Sequence, residues 1–212
     1  MVPERVPWGQ VGQALNLKFK ALVDSELNSD DLRFLAGKAF RNLDLAEYNN
    51  LLLSWGQFSK ETLPDRNFTF WEWFYSILKL TRDHLKELWR QENRCIYGFV
   101  SRKQTEELLA NKPEGTFLLR YSETELGSIT IAYNTEMKSG DGKSVLMIKP
   151  WGPKDFQIRS LADRIRDLKH LKYLYPGTPK DDAFGSFYEQ NTEIEPTCEG
   201  YVPPVLVTHI PE

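Results

Sequence analysis

The chain has 212 residues, 41% hydrophobic and 13% aromatic, which is apolar material for one large or two small cores, and its formal net charge is −3. That balance offers no basic face for a nucleic-acid backbone, and no apolar run reaches the length of a membrane span. Two distant cysteines, Cys95 and Cys198, and three scattered histidines, His84, His170 and His209, argue against a disulfide framework or a metal centre; no cofactor is expected, and a reducing cytosolic or nuclear setting fits.

The part up to Arg90 reads as helical. Asn28 is a candidate N-cap, with Asp30 and Asp31 in the favoured first turn. The apolar positions Leu32, Leu35, Ala36, Ala39, Phe40 and Leu43 then follow a helical stripe. Asp24, Glu26, Asn28 and Asp30 alternate as calcium-loop ligands do. Ser29 stands where such a loop needs glycine, however, and Leu35 where it needs a bidentate glutamate, so calcium binding is not expected. Thr69 and Glu72 have capping-box spacing at the head of a helix reaching to about Trp89. Its Trp73, Phe74, Ile77, Leu78, Leu85, Leu88 and Trp89 form one broad apolar face.

Ser101 and Gln104 open a further short helix that stops before Pro113. Its first turn holds Arg102 and Lys103, where the helix dipole disfavours cations. Residues 116–121 read as a buried strand, a costly place for Arg120 to carry a charge without a partner. An external phosphate would complete that site, since a guanidinium fork, the hydroxyls of Ser122 and Thr124 and the N–H groups of the following loop are all donors. The other use of that charge is an internal ion pair with Glu123 or Glu125. The phosphate reading requires the guanidinium to be kept free of such a counterion.

Two more strands, 128–133 and 144–149, follow, joined by a turn at residues 139–142, and give an antiparallel meander. Ser160 and Asp163 cap a helix with Leu161, Ile165, Leu168 and Leu171 on its apolar side. Pro179 suits the first turn of a last helix packing through Ala183, Phe184 and Phe187. Helices on either side of a sheet predict a three-layer α+β sandwich. From Glu189 onward the composition turns acidic and apolar-poor, which predicts a mobile arm that presents Tyr201 ahead of Pro203 and Pro204, accessible to a kinase. No phosphate loop, kinase string, nucleophile elbow or histidine-rich motif is present, so an enzyme is not expected.

The string GTFLLRYSETELGSITIA at residues 115–132 resembles the phosphotyrosine-binding strand of Src-homology-2 (SH2) domains, in particular that of the signal transducer and activator of transcription (STAT) family. ALNLKFK at 14–20 and LPDRNFTFWEWF at 63–74 resemble the helical linker domain of that family, and YLYPGTPKDDAFGSFY at 173–188 resembles the segment that closes its SH2 domain. The chain departs from the family pattern at Tyr121, usually Phe, at Ser128, usually the first of two glycines, and at Arg102, usually Lys.

The resemblance implies an α+β chain: an all-helical linker domain over 1–92, an SH2-type antiparallel sheet flanked by helices over 93–188, and a tail over 189–212. It implies a phosphotyrosine site made of Arg120, Arg102, Ser122, Glu123 and Thr124, and a phosphorylation site at Tyr201. The partners it implies are phosphotyrosine peptides of receptors, a tyrosine kinase acting on Tyr201, and a second STAT-like chain in a homodimer or heterodimer, with Val202, Pro203, Pro204 and Val205 laid across residues 147–149. DNA would be reached only through a domain upstream of these residues, no membrane is a partner, and the protein would move from cytoplasm to nucleus on activation. A cytosolic adaptor that docks on receptors without dimerising is the alternative.

Overall fold

Local sequence sets where the helices begin. In this computed structural model, which describes residues 4–90, 92, 94–136 and 143–189, four helices start at reciprocal capping boxes. At each one the cap side chain accepts from the backbone N–H three residues on, and that residue's side chain accepts from the cap N–H. The pairs are Asn28 with Asp31, Ser54 with Gln57, Thr69 with Glu72 and Ser101 with Gln104. The expected turn at 139–142 and Tyr201 lie outside the described residues.

The N-terminal part runs β1 (Arg5–Pro7), α1 (Trp8–Val23), α2 (Ser29–Ala39), β2 (Leu52–Ser54), α3 (Trp55–Ser59) and α4 (Phe70–Leu80). The expected all-helical unit therefore also carries a two-stranded ribbon, β1 antiparallel to β2, whose three-residue strands are too short to display an alternating pattern. Helix α2 ends sooner than its stripe suggested: Arg41 takes a left-handed backbone (φ 58°), which leaves Leu43 outside the helix and exposed. The long aromatic helix reaches Trp89 as expected, but by an irregular path. After Leu80 it widens into a π turn over Thr81–Leu85 and tightens into a 3-10 turn over Lys86–Trp89. The change begins at Thr81, whose buried hydroxyl donates to the Ile77 carbonyl and also meets the Tyr121 phenol.

The second part runs α5 (Arg102–Ala110), β3 (Thr116–Tyr121), β4 (Ile129–Glu136), β5 (Lys143–Met147), α6 (Pro153–Ile158), α7 (Leu161–Asp167), β6 (Tyr173–Leu174), β7 (Thr178–Pro179) and α8 (Lys180–Phe184). Strands β3, β4 and β5 form the antiparallel meander. The sheet is wider than that: its order is β5-β4-β3-β6-β7, with β6 parallel to β3. Both added strands have two residues, too few for a periodic signal. Pro179 caps α8 rather than entering its first turn, and α6, with Pro153 at its start, is an additional short helix.

Alternation along β3 sorts the sheet's two faces. Leu118 joins Val100, Leu109 and Ala132 beneath α5, while Phe117, Leu119 and Tyr121 face the larger core with Ile165 and Phe184. Arg120 has the parity of Leu118, so it lies on the α5 side, opposite Thr130 of β4. The larger core is continuous from Trp8 to Phe184 and ignores the boundary between the two parts. Phe34 of α2 touches Trp73 and Phe99, and Trp89 sits among Phe19, Phe99 and Tyr121, all with ring centroids 5.3–6.3 Å apart.

A buried ion pair helps to staple the two parts. Asp31, only 3% exposed, accepts from both terminal nitrogens of Arg94 at 2.8 Å, and Arg94 also lies 3.9 Å from the Trp89 ring centroid. Arg94→Ala strands a buried carboxylate, so unfolding should become easier by about 3 kcal/mol, equivalent to roughly 6–12 °C in melting temperature for a chain of this size. Calorimetry on the wild type and R94A checks this, and equal melting temperatures would refute the staple.

Candidate functional site

Arg120 comes to its position because β3 is buried along its whole length, so its side chain leaves the sheet at the end of α5 with 5% of its surface exposed. Its Nε donates to the Val100 carbonyl at 3.1 Å, Nη2 donates to Glu123 Oε2 at 2.6 Å, and among the described residues Nη1 meets only the weakly accepting Met147 thioether at 3.9 Å. Of the two acids weighed as partners, Glu123 is therefore the one that pairs. The expectation of a guanidinium without a native counterion is corrected: so deeply buried a charge is held by a carboxylate three residues on, and a phosphate can take the guanidinium only by displacing that carboxylate.

That pair forms part of the wall of an open cavity of about 630 Å³. Among its described lining residues six are cationic, Lys38, Arg41, Arg66, Arg102, Arg120 and Lys149, and Glu123 is the single acid. Such a cleft concentrates anions. Burial lowers the pKa of the Arg120 guanidinium and of the Lys38 amine, and in each case Glu123 opposes the fall by favouring the charged form.

The other sequence-derived residues reach this cavity in different ways. Arg102, at the first turn of α5, is at the rim, with 72% of its side chain exposed and Nε donating to Glu106 at 3.0 Å. Ser122 is buried, and its Oγ accepts from the N–H groups of Thr124 and Glu125 at 3.2 and 3.1 Å and meets the Thr124 hydroxyl at 3.2 Å. The loop N–H donors expected to face a phosphate are thus turned onto Ser122, because a hydroxyl at the end of a strand closes the next turn on itself. Thr124 is exposed at the cavity wall. Tyr121, where phenylalanine was expected, keeps its ring in the core and spends its hydroxyl on Thr81. Ser128 donates to the Glu125 carbonyl at 3.1 Å and closes the loop from the other side.

Sequence reasoning missed the contribution of the N-terminal part. Trp73 Nε1 donates to the Ser122 carbonyl at 2.9 Å, Ser76 Oγ accepts from Gly127 N–H at 2.8 Å, Arg66 Nε donates to the Glu123 carbonyl at 2.9 Å, and Lys38 Nζ meets Glu123 Oε1 at 3.1 Å. Four side chains from residues 38–76 thus hold the loop that follows Arg120. A signal was present for one of them: Lys38 stands four residues after Phe34 and seven after Asp31, on the buried stripe of α2.

Two family models match stretches of the chain. Residues 1–74 match the family model of the STAT linker domain, and residues 96–175 match that of the SH2 domain. A Drosophila melanogaster protein named signal transducer and transcription activator is 43% identical over 222 aligned positions, which take in 99% of this chain and 28% of the relative. The chain thus spans under a third of that relative's length. With a linker domain and an SH2 domain matched in that order, this chain belongs to the signal transducer and activator of transcription family.

Proposed function

We propose that the chain is a phosphotyrosine-binding signalling module that acts by recognition and not by catalysis. The observation that carries this reading is Arg120 at the wall of a cavity lined by six cations and one carboxylate. A phosphotyrosine brings about −1.5 to −2 charges and three acceptor oxygens, and Nη1 of Arg120 meets no oxygen acceptor among the described residues. Met147, Ile148 and Lys149 lie beside the cavity, at the edge strand of the sheet, where the residues that follow a phosphotyrosine can be laid in extended form.

Tyr201 is the proposed phosphorylation site and lies outside the described residues. Phosphorylated there, two chains would exchange tails in a two-fold contact, the second docking event being intramolecular once the first is made. In that reading the chain answers a receptor-associated tyrosine kinase and works as part of a transcription activator that moves from cytoplasm to nucleus. DNA, in the same reading, would be contacted by residues outside this chain. No helix among the described residues is long and apolar enough to cross a membrane.

Arg120→Ala should lower affinity for a phosphorylated peptide of residues 195–207 by about 100-fold or more, the loss of charge-assisted hydrogen bonds in a buried site, and leave the weak affinity for the plain peptide unchanged. Fluorescence anisotropy checks it, and equal binding of phosphorylated and plain peptide by the wild type would remove the reading. The exchange has a separate test in the mass of the chain by light scattering before and after tyrosine phosphorylation. The expected result is a doubling that Tyr201→Phe prevents; a persistent monomer that still binds the phosphopeptide would mark a docking adaptor instead.

A further inference from the structure

Glu123 bridges two cations from different domains. Its Oε2 accepts from Arg120 of the SH2 sheet at 2.6 Å and its Oε1 from Lys38 of linker helix α2 at 3.1 Å. The two cations are the more enclosed members of the trio, with side chains 5% and 11% exposed, against 23% for Glu123. The amine of Lys38 is further fixed 4.4 Å from the ring centroid of Trp73, whose own N–H holds the Ser122 carbonyl. Both cations line the same cavity.

This arrangement is poised for an exchange of anions. The carboxylate is the member with access to solvent, so it can swing out and be hydrated, whereas the two cations cannot leave without breaking the contacts of α2 and β3. A phosphate dianion carries more charge and more acceptor oxygens than the carboxylate it would replace. We propose that Lys38 is a phosphate-binding residue of this site, and that an entering phosphotyrosine takes Arg120 and Lys38 over from Glu123. The linker is then part of the recognition surface, and ligand binding is coupled to the contact between linker and SH2 domain. This deepens the phosphotyrosine reading above and rests on it.

The test uses the 212-residue chain and the phosphorylated and plain peptides of residues 195–207, with R120A as the reference for loss of the pocket. Lys38→Met keeps an apolar stem over Trp73 and removes the charge. It should weaken phosphopeptide binding about tenfold and leave plain-peptide binding unchanged, while Lys38→Arg stays within a few-fold of wild type. The same tenfold loss should appear when K38M is made in an E123Q background. Silence of K38M there would mean that Lys38 only anchors Glu123, and would overturn the proposal.

Wild-type affinity in K38M, with R120A still defective, would also overturn it and leave the pocket intact. A wild type that fails to distinguish the two peptides would overturn the pocket and the role of Lys38 together. Should K38M not fold, E123Q decides: with the competing anion neutral, phosphopeptide binding should tighten several-fold, and unchanged or weaker binding would refute the exchange.

Discussion

A guanidinium near the end of a buried strand must have an anion near it, and the neighbourhood of Arg120 is organised around that requirement. Strand β3 is buried from Thr116 to Tyr121 and Arg120 is only 5% exposed, so the charge meets too little water to be hydrated in place. Glu123 meets the need from within the chain, three residues on and at the mouth of a cavity rich in positive charge. A carboxylate in that location stabilises the unliganded protein. It also stands where an external anion would have to arrive, so stability and recognition compete for the same cation.

The loop carrying Glu123 has little structure of its own to hold it. Its geometry comes from Ser122, which gathers two backbone N–H groups, and from the N-terminal part, which binds the loop at Ser122, Glu123 and Gly127. Such bonds are individually worth about 1 kcal/mol net, but they act on one short segment and fix its position relative to α2 and α4. The shared aromatic core and the Arg94–Asp31 pair make the support stiff. Linker and SH2 domain therefore behave as one packed body around the site, and the contribution of linker cations to the cavity follows from that packing.

Much of this was readable from residues close together in the chain. Capping boxes at Thr69 and Ser101, the helical spacing of the aromatic face up to Trp89 and the buried run of β3 are local patterns, and each appears where it was expected. The irregular turns after Leu80 and the two-residue strand β6 were not readable, because their contacts answer to distant partners such as Tyr121 and Thr116, and β7 is too short to show a pattern of its own. For the site, Arg120, Ser122, Glu123, Thr124 and Arg102 were all picked out from neighbouring residues and from the family string, and the structure brings every one of them to a single cavity.

The string alone was sufficient to establish which cation belongs to a strand, which hydroxyls follow it and which family shares that pattern, since these depend on residues a few positions apart. Only the folded chain decided that Glu123 and not Glu125 takes the guanidinium, that the loop N–H groups turn onto Ser122, and that Lys38 and Arg66 join from more than fifty residues away. The physical reason is that counterion choice in a buried site depends on distances across the core, and those are set by how α2 and α4 pack on the sheet, which no local pattern encodes.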